Sequence, residues 1–189
     1  MDSLSTKLFS LFQNVNDWLK FAEAKNAVLL AFSGAGMTAT LTVLVSAQNL
    51  PNSLRWGLIF ATILLCVCAF LCTISFLPKT NLEKILRIRD RSFQSEQPKP
   101  EDNLYFFGHL KKYKAQELLT ELNRSYLSNN PVSQPYSKEA QDLAVQVIIN
   151  SGVAFIKFRI FTYAVYVLAA AILCVPVFIL ISFIAFRSL

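Results

Sequence analysis

Three stretches of this chain carry no charged side chain: residues 27–47, 56–77 and 160–186. Nothing else in the sequence restricts the fold as strongly. A helix needs roughly 20 residues to cross the ~30 Å hydrocarbon core of a bilayer, and each stretch is long enough. In lipid, a backbone N–H or C=O left unpaired finds no water, so a spanning segment must close its hydrogen bonds internally, as a helix. The 189 residues are 54% hydrophobic and only 16% charged, against about 25% charged in an ordinary soluble domain. The deficit is concentrated in the three stretches, and the remaining polar sequence is too short to cover three such helices in water. The expected fold is therefore an all-α membrane protein, with three transmembrane helices and a small helical cytoplasmic head. Its parts are an amphipathic cytoplasmic helix (1–26), a first span (27–47), a second span (56–77), a cytoplasmic helical region (78–159) and a third span (160–186). Asp2, Asp17 and Glu23 precede the first stretch, and its apolar run exceeds a signal-peptide core, so it reads as a permanent span.

Orientation follows from the basic residues near the membrane ends. Lys7, Lys20 and Lys25 lie in the N-terminal arm, and thirteen Lys and Arg lie between residues 78 and 159. The other two, Arg55 and Arg187, lie on the opposite side, so sixteen of the eighteen basic residues share one side. That side is expected to be the cytoplasm, which makes the net charge of +6 a topology signal and a contact with anionic lipid rather than a nucleic-acid footprint. Cys66, Cys68, Cys72 and Cys174 all fall inside the spans. They read there as small apolar residues, with neither a disulfide framework nor a metal site.

The arm places Leu4, Leu8, Leu11, Phe12, Val15, Trp18 and Leu19 at helical spacing. Behind the second span, Pro78 breaks the chain, and a short helix with Leu82, Ile85 and Leu86 in one stripe is expected among basic residues. Leu110, Tyr113, Leu118, Leu119 and Leu122 form a further helical stripe, which Gly108 separates from an aromatic entry. Ser137 is placed to cap a last long helix, with Glu139 and Asp142 in its opening turns and Leu143, Val147, Ala154 and Phe158 along one face. That helix is expected to continue into the third span, where Pro176 removes one hydrogen bond.

In the first span Ala27, Ala31, Ala35 and Ala39 recur every four residues. Small residues at this spacing let helix backbones approach closely in lipid, either within one chain or between chains. No ionisable residue lies in the spans, which argues against an ion-coupled carrier. Catalysis is not expected: the five glycines are scattered, His109 is the lone histidine, and the acidic residues form no spaced set. A small anion has more to bind. Asn103, Tyr105, Phe106 and His109 cluster in one window, while Lys25, Lys157 and Arg159 lie at the cytoplasmic ends of spans. Rings can stack a base and cations can hold a phosphate. The same residues also fit an ordinary interfacial belt of aromatics and charges.

Three segments carry a family resemblance. WLKFAEAKNAVLLAFSGA (18–35), EDNLYFFGHL (101–110) and AQDLAVQVIINSGVAFIKFRIF (140–161) resemble the Pycsar transmembrane effectors, in which an acidic residue two places before a Lys leads into the first span. Glu23 and Lys25 stand there, where the family more often has Asp. The order of two spans, insert and one span is also similar. The resemblance implies a bacterial antiphage effector in the inner membrane. It would sense cyclic CMP or cyclic UMP made by a partner uridylate or cytidylate cyclase, impair the membrane, and act as a homo-oligomer with no cofactor and no nucleic-acid polymer. A constitutive accessory subunit of a membrane complex, or an unregulated holin-like protein, are the alternative readings.

Overall fold

The computed structural model describes residues 3–47, 50–77, 97–128, 131–132 and 134–187, without the side chains of 185–187. The expected basic helix behind Pro78 lies outside the described residues. Those described form five helices and no strand: α1 (Ser3–Ser46), α2 (Asn52–Ser75), α3 (Phe107–Leu110), α4 (Ala115–Tyr126) and α5 (Lys138–Arg187). They divide into two compact units. One holds Met1–Ala22 and Pro78–Phe158, the other Glu23–Leu77 and Arg159–Leu189. Helices α1 and α5 each contribute residues to both.

The first unit is a helical head with a conventional apolar core. Leu4, Leu8, Leu11 and Val15 of α1 pack with Leu104, Leu110, Tyr113, Leu118, Leu119, Leu122, Tyr136, Ala140, Ala144 and Val147. Each fully buried leucine contributes about 1.5–3 kcal/mol. Leu110 and Tyr113 reach this core from α3 and the turn after it, not from the helix that carries Leu118 and Leu122. That helix begins at Ala115, where Glu117 accepts the Lys114 backbone N–H at 3.0 Å. Ser137 Oγ accepts the Ala140 N–H at 3.2 Å and starts α5. Asn123 fixes the chain between α4 and α5: its amide donates to the Val132 carbonyl at 3.0 Å and accepts the Val132 N–H at 2.9 Å. Asn150 Nδ2 donates to Asn16 Oδ1 at 2.9 Å, tying α5 to α1.

The second unit contains the three apolar helices. Leu29, Cys68, Cys72 and Ala164 form a buried apolar cluster in it. Ser33 Oγ lies 2.8 Å from the Leu29 carbonyl and 3.1 Å from Cys68 Sγ, which lies 3.3 Å from the Ala164 carbonyl. Thr62 Oγ1 is 2.8 Å from Thr40 Oγ1. Polar side chains thus link neighbouring helices of this unit. Val28, Phe32, Phe70, Leu173, Leu180, Phe183 and Ile184 are exposed, far more apolar surface than a water-soluble monomer leaves open. Three helices are long and apolar enough to cross a membrane, and lipid is the solvent for that surface. Pro176 lies within α5.

Among the described residues, the small-residue row of the first span is not turned toward the other helices. Ala27, Ala31, Ala35 and Ala39 are all exposed, while Leu29, Ser33 and Gly36 turn toward the other helices. The reason lies in the partners. A Cβ on Gly36 would come within 3.2 Å of Leu65, and Ser33 carries the contact to Cys68. The face that bears Gly36 and Ser33 therefore approaches α2, and the alanine row is left outside.

Candidate ligand site in the helical head

The segment from Lys99 to Lys114 is organised by one buried carboxylate. Asp102 accepts the Lys99 backbone N–H at 2.9 Å and pairs with the Lys112 ammonium at 3.2 Å. Its side chain is 4% exposed and that of Lys112 is 9% exposed. Burial alone would raise the Asp102 carboxyl. The Lys99 amide, the Lys112 ammonium and His109 together outweigh it and hold the acid below its ordinary range. Behind this pair, burial first, and then the charges of Asp102 and Glu121, push the Tyr113 phenol up to about 12.

Asn103 and His109, both candidates from sequence, are engaged in shaping the segment. Asn103 Oδ1 accepts the Tyr105 N–H at 2.9 Å, and the Asn103 N–H donates to His109 Nδ1 at 2.8 Å. The second bond assigns the imidazole proton to Nε2. The same Nδ1 lies 3.6 Å from Asp102, a charge pair only for a protonated ring. The Phe106 ring meets His109 edge-on at 5.3 Å and covers Gly108, where a Cβ would fall 2.4 Å from the ring. A larger residue at position 108 would therefore displace the Phe106 ring from this place.

Of the lysines after His109, Lys114 is exposed while the other two are engaged within the head. Lys112 is enclosed against Asp102, and the Lys111 ammonium stands 3.4 Å from the Phe155 ring centroid. Phe107 stacks on Phe158 at 5.1 Å, and Trp18 and Phe21 complete that aromatic group. Lys157 belongs to the head but is 5% exposed. Lys25 and Arg159 belong to the membrane unit, the first over Phe161 at 5.3 Å and the second against Tyr163 at 5.8 Å. The seven residues read from sequence are therefore divided between the two units, and most of those in the head are spent on internal contacts.

Tyr105 is the exception. Its N–H is held by Asn103, and its carbonyl accepts from Asn14 Nδ2 at 2.9 Å. With the backbone fixed on both sides, the residue remains 36% exposed. Tyr126, 43% exposed at the end of α4, meets it edge-to-face at 6.1 Å. The Lys7 ammonium lies 5.0 Å from the first ring and 4.8 Å from the second. Sequence reading missed Lys7, Asn14 and Tyr126. The available signal was the seven-residue interval between Lys7 and Asn14, two turns apart on one face of α1; Tyr126 gave none. Two rings and a cation on an open face suit a planar group that carries a negative charge.

Fold and site together define a multi-pass membrane protein with a helical head built on the extensions of its own membrane helices. The family model for the Pycsar effector protein domain matches residues 7–185, and the chain belongs to that family. It is 30% identical over 151 residues to the Pycsar effector protein RsPycTM from Rhizobium sp., an alignment that covers 78% of each chain. No solved structure matches it. The chain is thus a membrane effector of the Pycsar antiphage class.

Proposed function

We propose that the protein senses a cyclic pyrimidine mononucleotide, cyclic CMP or cyclic UMP, and responds by impairing the bacterial inner membrane so that infection is aborted. The head binds the nucleotide, a partner cyclase supplies it, and the chain itself catalyses nothing. The N-terminus and head lie in the cytoplasm, in keeping with sixteen of eighteen basic residues on that side. One observation carries the reading: α1 and α5 run unbroken over 44 and 50 residues, from the core of the head into the apolar unit. A ligand that prefers one arrangement of the head changes the energies of both spans, since a differential affinity is what shifts such an equilibrium. The alanine row left exposed on α1 supports pairing of spans between copies once they move.

Reconstitution in dye-loaded liposomes tests this. Addition of one cyclic pyrimidine nucleotide releases the dye, while cyclic AMP and linear UMP do not. Liposomes that stay tight with both cyclic pyrimidines, or that leak equally without any nucleotide, overturn the proposal.

A further inference from the structure

We infer that the open face formed by Lys7, Tyr105 and Tyr126 is the nucleotide site of the head, with the Lys7 ammonium on the cyclic phosphate and the two tyrosine rings on the base. The assignment rests on the proposed nucleotide response and specifies where it begins.

Four observations converge on this face. Lys7 is held by two rings, at 5.0 and 4.8 Å, and among the described residues no carboxylate pairs with it. Two acids of the head are committed elsewhere: Asp102 to Lys112, and Glu121 to Arg124 at 2.9 Å. A cation held on ring faces is positioned but not neutralised, so its charge remains available to an anion. A cyclic mononucleotide carries a single negative charge on its phosphodiester, which one ammonium matches.

The rings are exposed yet preorganised. Tyr105 is fixed through both backbone polar groups, by Asn103 and Asn14. Tyr126 ends α4, whose Leu118, Leu119 and Leu122 are fully buried. Rings already fixed in place lose little freedom on binding. Every base has a π-face, so stacking supplies affinity, and the phenol hydroxyls remain available to base edges.

The position also matters mechanically. Lys7 lies on α1, the helix that continues to Ser46, whereas Tyr105 and Tyr126 lie on other segments of the head. A ligand bridging them pulls on α1 relative to the segments that hold the rings. By contrast, Asn103, His109, Lys112 and Lys157 are consumed by internal bonds or burial.

Equilibrium binding of cyclic UMP and cyclic CMP to the full-length protein in phosphatidylcholine nanodiscs is the test. The wild type binds one of them. Lys7→Gln and Tyr126→Ala each weaken binding about ten-fold or more, Tyr126→Phe retains most of it, and all three melt as the wild type does because the replaced groups lie outside the core. Wild-type binding that persists unchanged in Lys7→Gln and Tyr126→Ala overturns the site and leaves the nucleotide response standing. A wild type that binds neither nucleotide overturns both. If phosphatidylglycerol in the nanodisc displaces the nucleotide from the wild type but not from Lys7→Gln, the face is a lipid-headgroup site and the assignment fails.

Discussion

The Lys112 ammonium lies 3.2 Å from the Asp102 carboxylate, with both side chains at least nine-tenths enclosed. Burying two charges is costly, and their attraction together with the Lys99 amide offsets that cost only while both remain. Lys112→Met leaves a buried carboxylate without its cation and should cost the head about 3 kcal/mol or more. The double variant Asp102→Asn/Lys112→Met leaves no charge inside and should lose less than Lys112→Met alone. Thermal melting followed by helicity checks the order; a Lys112→Met protein that melts with the wild type refutes it.

The same carboxylate sets an acid limit. The Asp102 pKa in the folded head is depressed below the ordinary 3.8. The unfolded chain therefore takes up a proton first, as pH falls through that ordinary value. The stability linked to Asp102 is whole above about pH 3.8 and declines as pH drops toward the folded value. Asp102→Asn should show a flatter stability profile over that acid range, measured by denaturant melts at successive pH values.

Tyr113 sets the alkaline limit with the opposite sign. Its phenol is raised from 10.0 to about 12, so the unfolded state releases its proton first as pH rises. The contribution is complete below pH 10, falls between 10 and 12 and is gone above. Tyr113→Phe should remove this part of the alkaline transition at the cost of the weak 3.4 Å contact to the Lys99 carbonyl. Phenolate absorbance read alongside helicity separates ionisation from unfolding; a Tyr113 that ionises near pH 10 in the intact fold would falsify the claim.

These groups show where the sequence was informative. The spans were legible because charge-free runs of that length have one stable form in lipid. The apolar faces of α1 and α4 were legible through their helical period: Leu4, Leu8, Leu11 and Val15, and Leu118 and Leu122, all lie in the head core. The site was less so. Asn103 and His109 have the donors and acceptors expected of ligand contacts, yet both are spent on the backbone of their own segment. Nothing in residue type distinguishes a satisfied polar group from a free one; only the fold does. Lys7 and Tyr105, far apart in the sequence, meet through packing that no local pattern announces. The alanine row illustrates a further ambiguity, because two adjacent faces of one helix both offer small residues and the choice depends on Leu65 and Cys68 across from them.

Within the membrane unit the glycines give a last contrast. A Cβ on Gly57 would lie 3.0 Å from the Phe178 Cβ and 3.5 Å from the Val175 Cα. Those atoms belong to or adjoin the α5 backbone and cannot swing aside as a side-chain tip can, so a larger residue must separate α2 from α5. A Cβ on Gly34 meets nothing within 4 Å. Gly57→Val should therefore destabilise the unit by about 1–3 kcal/mol, while Gly34→Ala should be neutral or gain about 0.5–1 kcal/mol from reduced backbone freedom. Melting in detergent micelles measures both, and the fluorescence of Trp56, next to the altered position, reports the local separation. Equal tolerance at the two glycines would mean that α2 and α5 do not meet at Gly57. Sensitivity at Gly34 alone would instead mean that the open face of α1 is covered by a second chain, since no described residue of this one lies near enough to object.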